Sequence, residues 1–356
     1  MAERHDAEAP AGDGRFNSNA QYITRESVDT FDLESDWLDF EESLKSENRY
    51  FDRLGERLMA FLFGDIKDHR TTHGRQVIVE AGPGTEHAAL YRARVFQNER
   101  ALRKAMERPD TEVGPPPSPR AGRMNASGIA MFYGATDPHV ALAEVWPPVG
   151  SKVLIACFDV VRPLRLLDLD ALSALGDENG SRFDPSHVRR LKRAEFLRGL
   201  SRRISKPVMP DDKASVYLLT QAMADFLAAR VANPPLDGII YHSAQIGPPR
   251  SRFLILGGSG GYKRNVALFP RAARVQRLDQ GMDTSVSDNS LYSRPFLDDA
   301  PDLKYSVAVS SPAPTHDGDA PLRFSTLEVH YVKSINLDTS SSSVHRRYRW
   351  EAPEPG

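Results

Sequence analysis

The chain has 356 residues, of which 40% are hydrophobic and 26% charged, ordinary usage for a soluble globular protein with length enough for a sizeable core. Its 46 lysines and arginines nearly balance 48 acids, a formal charge of -2, so no global basicity points to nucleic acid as a direct partner. A lone cysteine, Cys157, excludes an intrachain disulfide and fits a reducing, cytoplasmic setting; with no signal-type leader and no apolar stretch long enough to cross a bilayer, no membrane partner is expected.

In chain order, residues 1–28 are polar and Gly/Asn/Ser-rich and are expected to be disordered. Residues 29–84 form a helical N-terminal segment and linker: Trp37, Phe40 and Leu44 sit at helix spacing, and Leu54, Leu58, Phe61 and Leu62 continue it, ahead of a short strand at 77–80. The main domain is expected over 85–272. Its first strand is Leu90 to Phe96, and the Pro-rich run from Pro109 to Pro119 reads as an exposed loop. A Gly122-Arg123-Met124-Asn125 turn leads into a strand at 129–133. A helix follows from Pro138 to Val145, with Asp137-Pro138 as cap and first turn.

Val153 to Val161 reads as a buried strand and 162–168 as a weaker one. Two amphipathic helices come next, one lined by Leu191, Ala194, Leu197, Leu200 and Ile204, the other by Leu219, Ala222, Met223, Phe226 and Arg230. Ile239 starts a strand ending at Ser243. Phe253 to Leu256, a glycine turn at 257–261 and Asn265 to Phe269 read as a hairpin closing the sheet. Residues 273–335 form a C-terminal extension, loop-like to about 320 and with a last strand at 327–332, before a disordered tail over 336–356.

The motifs Tyr91-Arg92, Gly122-Arg123-Met124-Asn125, Tyr133, Glu144, Ser243 and Asn265 occur in an order that resembles the RES domain, a bacterial family named for arginine, glutamate and serine. The resemblance runs from about 88 to 272. It departs from the family's Gly-Gly-Arg-Trp-Asn turn at Ala121 and Met124. It implies an α+β fold with an ADP-ribosyltransferase-like mixed β core and flanking helices. It also implies action on NAD+ as substrate, with no metal, and often the role of toxin in a toxin–antitoxin pair with an Xre-type antitoxin protein. A homo-oligomer is a further expectation. Residue by residue, the resemblance assigns Arg92 and Arg123 to the pyrophosphate, Tyr133 to nicotinamide stacking and Glu144 to the ribose hydroxyls and the developing cation. Ser243 is assigned as an orienting hydrogen bond, and Asn125 and Asn265 as further nucleotide contacts.

The chemistry agrees with that set. Nicotinamide leaves as a neutral molecule and needs no general acid, while the sugar passes through an oxocarbenium-like state that one carboxylate stabilises. Arginine's planar fork suits the pyrophosphate and an aromatic face suits the ring. A sugar glycosidase would need a second, opposed carboxylate. Phosphate, water and a protein side chain all remain open as acceptor, so hydrolysis, phosphorolysis and protein ADP-ribosylation are alternatives, as is a non-catalytic interaction protein with the same fold.

Other signals are weaker. Cys157 lies in an apolar strand without an activating cation. His69 and His73 lack the glutamate of a zinc-protease helix, and the 257–261 glycines lack the Gly-Lys-Ser/Thr of a phosphate loop. His242 adjoins Ser243 but faces the opposite side of a strand. The basic run from Arg189 to Lys206 is expected to be a solvated helix face, with a nucleic-acid surface as the minority alternative.

Overall fold

Apolar residues at helical spacing build α1 (Phe31–Ser43) and α2 (Arg53–Phe63), whose Trp37, Phe40, Leu58, Leu62 and Phe63 are all buried. The computed structural model describes residues 31–45, 53–176, 183–204, 213–229, 234–243, 264–279, 305–308, 315–316 and 318–334. The two ends expected to be disordered, 1–28 and 336–356, lie outside these residues.

β1 (Ile78–Ala81) and β2 (Ala89–Phe96) follow. Next comes α3 (Glu99–Glu107), capped by Asn98, whose Oδ1 accepts from the Arg100 and Ala101 amides at 2.8 and 3.3 Å. The proline-rich stretch is not a loop throughout. Pro109 opens α4 (Pro109–Glu112), because proline at the first helical position lacks only an N–H that has no partner there anyway.

β3 (Phe132–Ala135) leads to α5 (Pro138–Glu144), started as expected by Asp137, whose Oδ1 accepts from the His139 amide at 2.8 Å. β4 (Lys152–Val160) and β5 (Leu164–Asp168) are followed by α6 (Leu169–Leu172), α7 (Pro185–Ile204) and α8 (Lys213–Ala229). The chain then supplies β6 (Gly238–His242), β7 (Arg264–Leu268), β8 (Arg277–Leu278), β9 (Tyr305–Ala308), β10 (Thr315–His316) and β11 (Leu322–Tyr331).

The result is the expected α+β architecture: one nine-stranded mixed sheet in the order β1-β5-β6-β7-β3-β2-β4-β11-β9, with β8 and β10 as a separate small ladder. Among the strand pairs of the described residues only β5 and β6 run parallel, joined by the long crossover through α6, α7 and α8 that a parallel pair requires. β4 is buried on both faces, which explains its unbroken apolar run. β7 does not close an edge: it lies between β6 and β3, and its expected partner at 253–256 with the 257–261 turn falls outside the described residues. β11 is ten residues long and inserts between β4 and β9, well beyond the strand expected at 327–332.

Helices cover both faces. On one, α1, α2, α7 and α8 bury Phe196, Leu197, Met223 and Leu227 against Leu167, Ile239 and Ala267. On the other, Leu102, Ala105 and Met106 of α3 meet Leu90, Phe132, Phe158 and Val266, with the Phe132 and Phe158 rings edge-on at 5.2 Å.

The basic run on α7 is not a purely solvated face. Lys192 meets Asp32 at 3.4 Å, Arg203 grips Glu34 at 2.9 and 3.1 Å, and buried Arg193 grips Asp65 at 2.7 and 3.0 Å. Acids of the N-terminal segment face those cations. The stripe on α8 is also rotated from expectation, burying Thr220, Gln221, Met223, Ala224 and Leu227, whereas Arg230 is outside the described residues.

Beneath the ends of β5, β6 and β7 lies a buried ion cluster. Asp168 Oδ2 accepts from Arg264 at 2.7 Å and from Arg75 at 2.6 Å, while Oδ1 caps α6 through the Asp170 and Ala171 amides. Asp168→Ala removes the carboxylate that faces the buried Arg264 guanidinium and is expected to cost about 3–5 kcal/mol, while the half-exposed Arg75 returns to water. Urea unfolding monitored by circular dichroism reads this directly; a loss below about 1 kcal/mol would show the cluster to be dispensable.

Candidate functional site

Strand register builds the floor of the site. Tyr91 pairs with Ala135, Ala135 with Asn265, and Asn265 with Tyr241, so these four residues form one row across β2, β3, β7 and β6 on a single sheet face. Ser243 follows Tyr241 by two residues and shares its face. α5 lies over this row, burying Val140 and Ala141 against Ala93, Ala135 and Ile155, and delivers Glu144 from its last turn.

Glu144 is exposed as a residue, yet its carboxylate is tethered: Oε1 accepts from Ser243 Oγ at 2.6 Å and from Asn265 Nδ2 at 2.8 Å. Among the described residues Oε2 accepts no hydrogen bond. One oxygen is therefore fixed and the other is available to a ligand hydroxyl.

The Gly122–Asn125 turn forms a second wall. Asn125, almost fully buried, shares its amide N–H groups among the Arg120, Ala126 and Ile129 carbonyls at 3.0, 2.9 and 3.0 Å. Its Oδ1 accepts from the Tyr133 hydroxyl at 2.7 Å, and that hydroxyl accepts from the Met124 amide at 3.0 Å. A Cβ at position 122 would sit 2.6 Å from Asn125 Oδ1 and 2.9 Å from the Tyr133 hydroxyl, so glycine is required there. From α8, Gln221 donates to the Gly122 carbonyl at 2.8 Å and Thr220 to the Arg123 carbonyl. Met124, the departure from the family turn, is buried in the helical core, so its side chain serves packing.

The Arg123 guanidinium donates to the Ile204 carbonyl at the end of α7, the negative pole of that helix, and lies 5.9 Å from the Tyr217 ring centroid. Arg92 stands where the one-pair ladder between β2 and β3 ends. Its guanidinium lies over the Phe132 ring, and its buried Nη1 has no hydrogen-bond partner among the described residues. Burial, with Arg94 nearby, lowers its pKa to about 10, which leaves it charged at neutral pH.

Arg92, Arg123, Tyr133, Glu144 and Asn265 line one cleft of about 330 Å³, together with Tyr91 and Tyr241. Ser243 joins through Glu144. Asn125 does not line the cleft; it shapes the wall from behind. The sequence gives Tyr91 only as part of the Tyr91-Arg92 motif, without a role, and does not single out Thr220, Gln221 or Tyr241, although the two-residue spacing of Tyr241 to Ser243 is a signal for the last.

Burial holds the Tyr91 and Tyr133 phenols protonated up to about 12 and raises Tyr241 further, with repulsion from Glu144 contributing. Burial likewise pushes the Cys157 thiol to about 11, in keeping with an inert core cysteine. Among the described residues no cluster of His, Cys, Asp or Glu could hold a metal ion. His69 instead adjoins Asp65, at 3.3 Å.

A family model for the RES domain matches residues 89–287, more than half of the chain. The chain belongs to the RES family. No curated protein and no solved structure matches it. The RES match begins with β2 and includes every residue that lines the cleft or tethers Glu144. β1 on one side of the sheet, and β11 and β9 on the other, come from outside it.

Tyr133→Phe removes two hydrogen bonds of this RES site and leaves Asn125 Oδ1 and the Met124 amide unmatched, an expected loss of about 1–3 kcal/mol in chemical denaturation. The raised phenols also set an alkaline limit. Because the unfolded chain releases its tyrosine protons first, stability falls as pH climbs from 10 towards 12. Unfolding curves across that window, steeper for the parent than for Tyr133→Phe, provide the check.

Proposed function

We propose that the chain cleaves the nicotinamide–ribose bond of NAD+. The observation that carries this reading is the tethered Glu144 carboxylate in a cleft lined also by Arg92, Arg123 and Tyr133, with the Arg92 guanidinium buried and its Nη1 lacking a hydrogen-bond partner among the described residues. A desolvated cation without an acceptor is costly, and a phosphate oxygen would satisfy it. A cleft of about 330 Å³ suits the reacting half of a dinucleotide, with the adenosine half reaching outward.

In this reading Arg92 and Arg123 hold the pyrophosphate, and the Tyr133 ring stacks on nicotinamide. Ser243 and Asn265 bind Glu144 Oε1, so Oε2 is aimed at the ribose 2′-hydroxyl. As the C1′–N bond breaks, its electron pair passes to the pyridinium nitrogen and nicotinamide leaves neutral. Positive charge spreads over C1′ and the ring oxygen, where the fixed carboxylate stabilises it without reorganising. An oxygen nucleophile then bonds to C1′ and, where it is water or a hydroxyl, gives up its proton to solvent. Phosphate, water and a protein hydroxyl are equivalent at that step. A cytoplasmic toxin restrained by an Xre-type antitoxin is the biological setting that the RES motifs imply.

Glu144→Gln is expected to lower kcat by about 10²–10³ while NAD+ still binds. Ser243→Ala, which removes one hydrogen bond to an ionised group, should cost about ten- to a hundred-fold. Product masses after incubation with NAD+, with and without phosphate, test the reaction and name the acceptor: ADP-ribose from water, its 1″-phosphate ester from phosphate. An NAD+ pool left intact under both conditions would refute the proposal.

A further inference from the structure

Behind the cleft lies a second cavity of about 190 Å³, bounded by α1, the last turn of α7 and the first half of α8. Its walls are Trp37, Leu200, Ile204, Leu219 and Met223, with Tyr217 beside them. Its polar wall is Arg123, the same residue that lines the cleft. Its guanidinium touches the Ile204 carbonyl and the Tyr217 ring, both of residues that line this second cavity. On the other side its charge acts on the Tyr133 and Tyr241 hydroxyls of the cleft. Arg123 is thus the partition between two spaces.

We propose that the second cavity binds a small aromatic monocarboxylate, ring against Trp37, Tyr217 and the aliphatic walls and carboxylate on Arg123, and that its occupancy weakens pyrophosphate binding in the cleft. The second clause rests on the assignment of Arg123 to the pyrophosphate. The ligand class follows from the walls. The space is too small for a nucleotide and suits one ring with a short side chain. A planar guanidinium fork matches a carboxylate. A free phosphate would bring more charge to desolvate against mostly apolar walls than one arginine can offset. Arg203, at the rim, is already neutralised by Glu34, and Glu41 disfavours a dianion further. A neutral aromatic would gain the walls but not the cation. The coupling is negative because one guanidinium cannot fully serve anions on both sides, and reciprocity requires each ligand to weaken the other equally.

The probe is 3-phenylpropionate, with 3-phenylpropanamide as its uncharged counterpart, titrated calorimetrically into the full chain. Saturable binding of the acid, tighter than that of the amide by about ten-fold or more, is expected. It should vanish in Leu219→Trp, which fills the cavity, with the melting temperature reporting that this variant folds. Absence of saturation at millimolar acid, equal binding of acid and amide, or unchanged binding by folded Leu219→Trp each overturns the site. Titrated into Glu144→Gln saturated with NAD+, so that the nucleotide persists, the acid should bind about five-fold or more weakly; unchanged affinity overturns the coupling. If the acid binds as expected but NAD+ does not bind at all, the cavity stands and the reading of the cleft falls.

Discussion

The register between β6 and β7 governs the site. With Tyr241 opposite Asn265, the two strands bring Ser243 and Asn265 to the same edge and the same face, so their polar groups converge on one Glu144 oxygen. A slip of one residue would turn both side chains to the other face and present His242 and Arg264 instead. On that other face Arg264 is bound to the buried Asp168, which also caps α6. The strand ends are therefore clamped from below by an ion cluster while they hold the carboxylate above. Stability and site geometry share one short stretch of backbone.

The opposite wall follows another logic. Glu144 is steered by the neutral Ser243 and Asn265 side chains and by strand pairing, but Arg123 is steered by a loop folded around the Asn125 side chain. That loop is fastened to β3 through Tyr133 and to α8 through Gln221 and Thr220. α8 in turn belongs to the helical layer that α1 and α2 complete. Segments far from the cleft in sequence thus set the position of a residue inside it. Acidic residues of the N-terminal segment pair with α7 at its edge, adding a little to the apolar packing that holds that layer.

What was legible in the chain, and what was not, divides along physical lines. Strand β4 was visible because it is apolar on both faces, and α5 because Asp137-Pro138 is a local start signal. Glu144, Ser243 and Asn265 came from the order of matched motifs. The turn of α8 was misjudged because hydrophobic spacing cannot detect Thr220 and Gln221, polar residues buried to hold the 122–123 carbonyls. The basic face of α7 was misjudged because the partners of Lys192, Arg193 and Arg203 lie 160, 128 and 169 residues away. The proline-rich loop concealed α4, since proline halts a helix from within yet begins one comfortably. The motif marks Asn125 as a ligand contact, whereas its polar atoms are committed to its own loop and to the Tyr133 hydroxyl on β3.

β4 and β11 pair along nearly their whole length, from Val160 opposite Leu322 to Lys152 opposite Tyr331. β11 lies wholly beyond the RES match. An excised fragment ending at residue 287 would bare the most apolar strand of the sheet, with its ladder of amide and carbonyl groups open to any passing extended peptide, its own copies included. The RES match and the strand ladder of the sheet do not coincide in this molecule, and a trimmed chain keeps β4 covered only if it retains β11 through Tyr331.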